Sequence, residues 1–195
     1  MNIIDQIISN YSSNKSLYIG EKVTMSEHMI QTAMLAEKTN CSSNLICSSL
    51  LHDYGHFILE HPDDLVAKNK NGRHEDVGCA FLEKYFIEDV LGPIKYHVKA
   101  KKYLARGKKY YGLLSEASRI SLKLQGGIMS DEEAKKFEKN KFFKNSIKLR
   151  KFDEIAKKEG NVTHTKESAF IHLTEEIGEV AKQITNEKHR PNKFN

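Results

Sequence analysis

The chain has 195 residues, of which 39% are hydrophobic, and it carries a formal net charge of +5. This length suits a single domain with a hydrophobic core, and no apolar stretch reaches the ~18 residues that indicate a membrane-spanning helix. Because the charge excess is modest and tryptophan is absent, the composition does not favour nucleic-acid binding. The first residues lack the features of a signal peptide, so we expect a cytoplasmic protein with no membrane or nucleic-acid partner.

Helical periodicity dominates the chain from its start. The apolar residues Ile3, Ile4, Ile7, Ile8 and Tyr11 have the spacing of one helix face. The same pattern predicts further helices at about 26–38, 43–53, 74–89, 92–106, 113–124, 131–137, 142–158 and 166–186, with a surface loop at 60–73 and a break at Gly126 and Gly127. We therefore predict the all-α class, with a single-domain helical bundle over residues 1–186 and a disordered tail over 187–195.

The sequence His-Asp-Tyr-Gly-His at residues 52–56 is the strongest functional signal. It follows an apolar run, so a buried helix is predicted to deliver His52 and Asp53 to the interior, and Gly55 is predicted to let the chain turn away. An imidazole beside a carboxylate is costly to bury unless a cation satisfies both, and a divalent metal does so. For this pair alone, a capped helix end with a solvated histidine is the alternative.

Three more histidines and an aspartate extend the predicted metal site. His28, His74 and His97 recur along predicted helices, and Asp153 lies on a late one. In an antiparallel bundle, each helix and turn brings the chain back to the same height along the bundle axis. These side chains could therefore meet His52 and Asp53 in the core. Six ligands are too many for one metal. Imidazoles and carboxylates without thiolate favour two ions of iron or manganese, with zinc or cobalt as alternatives.

Three of these ligands have a basic neighbour at the i, i+3 or i, i+4 spacing that places residues on one helix face. The neighbours are His56, Lys101 and Arg150. If the ligands point into one cavity, these side chains should lie at its edge, where they would attract a dianion such as a phosphate or phosphonate. A solvated basic face is the alternative for Lys101, and a surface position is the alternative for Arg150.

The order of these residues resembles the HD-domain superfamily of metal-dependent phosphohydrolases and its oxygenase branch. Segments at 18–21, 97–104, 114–119, 124–127 and 149–154 are similar to the mixed-valent diiron oxygenases that cleave the carbon–phosphorus bond of 1-hydroxyalkylphosphonates. The resemblance runs from about Tyr18 to Glu154. It implies an HD-type helical bundle with a dinuclear metal site in its core, a small phosphonate as substrate and O2 as the second substrate.

The resemblance also implies a role for each matching residue. Two iron ions in the Fe(II)/Fe(III) state would be held by His28, His52, Asp53, His74, His97 and Asp153, with Asp53 bridging the two. The phosphonate would be bound by His56, Lys101, Ser118 and Arg150. Tyr18 would occupy an iron position before substrate arrives, and Glu21 would face the far end of the substrate. The implied catalytic residues are Tyr18, Glu21 and His56.

The implied reaction converts (R)-2-amino-1-hydroxyethylphosphonate or hydroxymethylphosphonate, with O2, to glycine or formate and inorganic phosphate. We expect the enzyme to be a monomer. Three alternatives stay open: a phosphohydrolase of the parent superfamily that acts on a nucleotide or phosphate monoester, a ligand-binding module with a structural metal core, and a protein whose basic helices dock on nucleic acid.

Overall fold

A computed structural model describes residues 2–14, 23–59 and 72–157, together with residues 170, 174–175 and 177–178. Its helices are, in chain order, α1 (Ile3–Ser13), α2 (Met25–Lys38), α3 (Ser43–Leu51), α4 (Gly55–Ile58), α5 (His74–Leu82), α6 (Glu88–Leu104), α7 (Lys108–Leu113), α8 (Glu116–Leu124), α9 (Asp131–Glu138) and α10 (Phe143–Ala156). None of the described residues lies in a β-strand. The predicted all-α class is therefore confirmed.

The predicted helix at 74–89 is interrupted. Helix α5 ends at Leu82, and Ile87 has an extended backbone (φ −72°, ψ 163°) directly before α6 begins at Glu88. Phe86 and Val90, on either side of this point, are buried at 2% and 0% exposure. The apolar periodicity runs through the break because both flanking segments face the same core, so it could not reveal where the first helix stops.

The predicted helix at 113–124 begins three residues later than expected. Ser115 has an extended backbone and its side chain accepts a hydrogen bond from the backbone N–H of Ser118, so α8 begins only at Glu116. At the other end of α8, Gly126 and Gly127 have φ values of 93° and 73°, in the left-handed region that favours glycine. The predicted break at this glycine pair is confirmed.

Helices α2, α3, α6 and α10 pack against one another and form the centre of the bundle. The core between them includes Met29, Leu50 and Ile94, all without solvent exposure. Helix α5 lies against α4 and α6. Phe170 stacks on Tyr11 with ring centroids 5.0 Å apart, so at least this residue of the predicted helix at 166–186 packs on the same core.

Several predictions concern residues outside the described part of the chain. These are Tyr18, Glu21, almost all of the loop at 60–73 and the terminal segment at 187–195. Within the described residues, no helix combines the length and apolar character needed to cross a membrane.

Helix α2 begins with a capping box formed by Thr24 and Glu27. The Thr24 hydroxyl accepts a hydrogen bond from the Glu27 backbone N–H at 3.2 Å, and Glu27 Oε2 accepts one from the Thr24 backbone N–H at 2.8 Å. We expect Thr24→Ala to lower the free energy of unfolding by about 1 kcal/mol, because the substitution removes the acceptor for an N–H group at the helix start. Urea denaturation followed by circular dichroism measures this change. Thr24→Ser, which keeps the hydroxyl, is the control, and equal midpoints for both variants would contradict the role of the cap.

Candidate metal centre

The six predicted metal ligands come from separate elements that meet in the centre of the bundle. They lie on α2 (His28), in the turn after α3 (His52 and Asp53), at the start of α5 (His74), on α6 (His97) and on α10 (Asp153). The His74 side chain is 12% exposed, and the other five residues are buried. Because α3 ends at Leu51, the turn that follows it, and not the helix itself, presents the His-Asp pair.

The ligands form two groups, each suited to one metal ion. His28, His52 and Asp153 form one, and Asp53, His74 and His97 form the other. Within each group, the nitrogen and oxygen atoms that could bind a metal lie within 4.8 Å of one another. The structure thus brings together all six residues that the sequence singled out.

The Asp53 carboxylate lies between the two groups. Its Oδ2 is 3.2 Å from His52 Nε2 and 3.9 Å from His28 Nε2, while its Oδ1 is 3.1 Å from His74 Nε2 and 3.4 Å from His97 Nε2. One carboxylate oxygen therefore faces each group. This is the arrangement in which a carboxylate can bridge two metal ions.

Backbone carbonyls orient two of the imidazoles. His52 Nδ1 is 2.8 Å from the carbonyl oxygen of Ser49, and His97 Nδ1 is 2.6 Å from that of Ile94. A carbonyl can only accept a hydrogen bond, so Nδ1 carries the proton in both rings and Nε2 presents its lone pair to the centre. The helical geometry supplies this contact, because each carbonyl belongs to the residue three positions earlier.

Burial and nearby charges control the protonation of these groups. Burial lowers the pKa of His28 to about 4. Burial alone would raise the pKa of Asp53 and Asp153, yet both lie well below the ordinary carboxyl value, because His52 lies beside the first and Arg150 beside the second. Burial would lower the pKa of His52, but the adjacent Asp53 carboxylate raises it above the ordinary value. Metal binding would displace the extra proton from His52, because ionised carboxylates and neutral imidazoles are the states that bind metal ions.

These side chains fit two metal ions chemically. Four imidazoles and two carboxylates without a thiolate suit iron or manganese, and also zinc. The buried Nε2 atom of His52 has no hydrogen-bond partner of good geometry among the described residues. A lone pair that is buried and left without a donor is what a metal position next to this atom would explain.

Three of the predicted substrate-binding residues lie in the interior near this centre. Lys101, Arg150 and Ser118 are 5%, 3% and 6% exposed. The Lys101 Nζ atom donates a hydrogen bond to Ser121 Oγ at 2.9 Å. Burial, followed by the positive charges of Arg150 and Lys157, holds the pKa of Lys101 well below its ordinary value. The alternatives of a solvated face for Lys101 and a surface position for Arg150 are wrong.

Side chains of the described residues hold the Arg150 guanidinium. It donates from Nε to the Tyr110 hydroxyl at 2.8 Å and from Nη2 to Glu154 Oε2 at 2.6 Å, and its Nη1 pairs with Asp153 Oδ2. These contacts fix Arg150 against a predicted metal ligand. They also balance two buried carboxylates, which are costly to leave unpaired.

His56 lies beside the second ligand group. Its ring stacks on that of His74, with centroids 4.3 Å apart and an interplanar angle of 22°. Burial, and then the neighbouring His74, lower the pKa of His56 to about 3. His56 is therefore a neutral imidazole near neutral pH, and it can act as a hydrogen-bond donor or acceptor at the edge of the centre.

Comparison with known proteins agrees with this geometry. Residues 25–136 match the family described as HD domain. The chain belongs to the HD-domain family. It is 44% identical over 142 residues to a 1-hydroxy-2-(trimethylamino)ethylphosphonate dioxygenase of Leisingera caerulea that forms glycine betaine, with 72% of each chain covered. It is 39% identical over 145 residues to a hydroxymethylphosphonate dioxygenase of Gimesia maris, covering 73% of this chain and 72% of the relative. The predicted resemblance to phosphonate dioxygenases of this family is confirmed.

Gly55 has a different role in this HD domain from the one predicted. It is the first residue of α4, and its φ is not positive, unlike those of Gly126 and Gly127. A Cβ atom on Gly55 would lie 2.8 Å from the His74 carbonyl carbon and 2.9 Å from Gly78 N, and closer still to the His74 carbonyl oxygen. Glycine is required here because the backbones of α4 and α5 touch, and this contact places His74 next to Asp53.

Sequence reasoning missed Lys157 as a member of this HD-domain centre. Its side chain is 4% exposed, and its Nζ lies 3.0 Å from Asp153 Oδ1. The same Nζ donates a hydrogen bond to Ser118 Oγ at 3.4 Å. The sequence spacing could have identified it, since Lys157 follows Asp153 at i, i+4. Because the neighbouring sequence is rich in lysine, Lys157 resembled one more solvent-exposed residue.

Proposed function

We propose that this protein is a diiron dioxygenase that uses O2 to cleave the carbon–phosphorus bond of a 1-hydroxyalkylphosphonate. The observation that carries the proposal is the Asp53 carboxylate, which directs one oxygen to each of two ligand groups beside a buried cluster of cations. A carboxylate placed to bridge two metal ions favours oxygenase chemistry, and the buried cations favour the binding of a dianionic substrate. The dioxygenase names of the two relatives support the same assignment.

Iron in the mixed-valent Fe(II)/Fe(III) state is the proposed metal. When bound, the iron pair would supply the redox chemistry that O2 reduction requires. The residues that would hold it are the six already described, with Asp53 as the bridge. Their burial keeps water away from the centre, and the protonated Nδ1 atoms of His52 and His97 keep both rings in one orientation.

The charges near the centre support an anionic substrate. Lys101, Arg150 and Lys157 are buried close together, with the carboxylate of Glu154 beside Arg150 and that of Asp153 beside Arg150 and Lys157. Two metal ions would add positive charge to this region. A phosphonate dianion would suit it, because its oxygens accept charge-assisted hydrogen bonds from ammonium and guanidinium groups.

The remaining expected roles are also part of the proposal. The phosphonate contacts are assigned to His56, Lys101, Ser118 and Arg150, with His56 close enough to the centre to assist proton transfer. Tyr18 and Glu21 are assigned to the metal position and to the far end of the substrate. We propose a cytoplasmic monomer that acts on hydroxymethylphosphonate or (R)-2-amino-1-hydroxyethylphosphonate and has no nucleic-acid partner.

The proposed reaction balances without an added reductant. Hydroxymethylphosphonate and one molecule of O2 together contain the atoms of formate and phosphate, so the carbon is oxidised by O2 alone while the carbon–phosphorus bond breaks. Phosphate release and oxygen uptake should therefore be equal. A hydrolase would consume no oxygen.

The test is phosphate release by the iron-loaded protein from each of the two phosphonates, in air and under argon, with oxygen uptake recorded in parallel. We expect release only in air and in a ratio of one phosphate to one O2. A phosphate monoester such as p-nitrophenyl phosphate serves as the control substrate. Release that is unchanged under argon, or release from the monoester alone, would replace the oxygenase with an HD-type phosphohydrolase.

A further inference from the structure

The His74 ring faces the metal centre with one nitrogen and a carboxylate with the other. Its Nε2 lies 3.1 Å from Asp53 Oδ1 and 3.1 Å from His97 Nε2. Its Nδ1 lies 3.6 Å from Oε2 of Glu75, whose side chain is only 12% exposed. Glu75 is the next residue of α5 and belongs to neither ligand group. A largely buried carboxylate therefore lies behind a predicted metal ligand.

His52 and His97 obtain their orienting contacts from the backbone instead. In each ring, Nδ1 meets the carbonyl oxygen of the residue three positions earlier, at 2.8 Å for His52 and at 2.6 Å for His97. His74 is the first residue of α5, so no earlier turn of the same helix can offer it such a carbonyl. The side chain of Glu75 is the acceptor group that faces Nδ1 in its place.

Stacking on His56 does not determine which edge of the His74 ring faces the centre. The two ring centroids lie 4.3 Å apart at an interplanar angle of 22°. A half-turn of the His74 ring would keep this stacking, but it would turn a C–H group toward Glu75 and a ring carbon toward the metal position. An acceptor for the Nδ1 proton distinguishes the two orientations, because only one of them lets an N–H group meet the carboxylate.

The Glu75 carboxylate also lacks a donor in this structure. Its Oε2 is buried and has no hydrogen-bond partner among the described residues. The 3.6 Å separation from His74 Nδ1 exceeds the roughly 3.2 Å of a normal N–H···O hydrogen bond, and a buried carboxylate without a donor is costly. A metal ion bound at His74 Nε2 leaves the imidazole proton on Nδ1, which supplies the donor that Oε2 lacks.

We propose that Glu75 is a positioning residue that holds His74 in place as a metal ligand and adds negative charge to the second ligand group. In the metal-loaded protein, its carboxylate accepts the Nδ1 proton of His74, directs Nε2 to the metal and makes the ring a stronger electron donor. The added charge stabilises the more oxidised state of a redox metal. The proposal rests on the proposed function only for the identity of the metal as iron.

Chelator competition for Fe(II) under argon measures the metal affinity of the centre without turnover. We expect Glu75→Ala to weaken Fe(II) binding roughly 10–100-fold, as loss of the hydrogen-bond partner of a ligating histidine does. Glu75→Gln keeps an acceptor oxygen and loses the charge, so its affinity should lie between those of Glu75→Ala and the unmodified protein. Asp76→Asn is the matched control, because Asp76 lies in the same first turn of α5 and pairs with Arg73 at 2.6 Å. It should change the affinity less than about two-fold.

The reduction potential of the iron pair separates this role from simple support of the helix start. The potential should become more positive in Glu75→Ala and in Glu75→Gln, because both variants lose the negative charge, and it should change less in Asp76→Asn. An unchanged Fe(II) affinity or potential in Glu75→Ala, or an equal loss of affinity in Asp76→Asn, would overturn the role of Glu75. Weaker Fe(II) binding in Glu75→Ala, when the unmodified protein shows no oxygen-dependent turnover, would keep this role and reject the oxygenase instead.

Discussion

Replacement of Asp53 by asparagine should abolish activity and remove both metal ions. The carboxylate directs one oxygen to each ligand group, and a carboxamide lacks the negative charge needed to bridge two cations. Loss of a residue that merely orients a ligand reduces metal affinity or activity by roughly 10–100-fold, and we expect a larger loss for a shared ligand. Metal analysis after gel filtration, together with turnover in air, measures the effect.

Asp153→Asn provides the matched comparison, since Asp153 belongs to one group only. This variant should lose activity and retain roughly half of the metal, because the group of Asp53, His74 and His97 keeps all its ligands. Asp89→Asn, which changes an exposed aspartate of α6, should behave like the unmodified protein. Full metal content in Asp53→Asn would show that Asp53 does not bridge the centre.

Gly55→Ala should lower the free energy of unfolding by about 3 kcal/mol and weaken the second ligand group selectively. The added Cβ would lie 2.8 Å from the His74 carbonyl carbon and 2.9 Å from Gly78 N. These neighbours are backbone atoms, so α5 has to move as a unit, and overpacking of this kind typically costs about 1–3 kcal/mol. This movement would carry His74 away from Asp53. In the unmodified protein, His74 Nε2 lies 3.1 Å from Asp53 Oδ1.

Urea denaturation and metal analysis together test this prediction. Gly112→Ala is the control, because Gly112 lies in α7 and an added Cβ would meet no atom within 4 Å among the described residues outside its own helix backbone and chain neighbours. That variant should be stabilised by about 1 kcal/mol, as expected when alanine replaces glycine in a helix. Equal stability of Gly55→Ala and the unmodified protein would mean that α4 and α5 can separate without cost.

The candidate ligands, which the structure brings together, could be proposed from the sequence alone. Residue types restrict the chemistry of a site strongly, because few side chains bind metal and burial leaves histidine and aspartate costly without one. The spacing of His28, His74, His97 and Asp153 by helical steps then favours a shared position in a bundle. Membership in the HD-domain family followed from the same residues, and comparison confirmed it.

Other features depended on contacts between residues far apart in the chain. Helix α8 decides whether Lys101 is solvated or buried, because Ser121 of this helix accepts a hydrogen bond from the Lys101 ammonium group. The close approach of Gly55 to Gly78 depends on the packing of α4 against α5, two helices that are not adjacent in the sequence. Helical periodicity reports which face of a segment is apolar, and it carries no information on which other segment covers that face.

Periodicity and residue chemistry are local properties, so the all-α class, the six candidate metal ligands and their basic neighbours could be read from the amino-acid sequence. Packing across the bundle was needed to show that Asp53 lies between two ligand groups, that Arg150 is held by Asp153 and Glu154, and that Lys157 lies beside Asp153. Bridging, pairing and burial depend on distances between helices, which packing sets and sequence spacing does not.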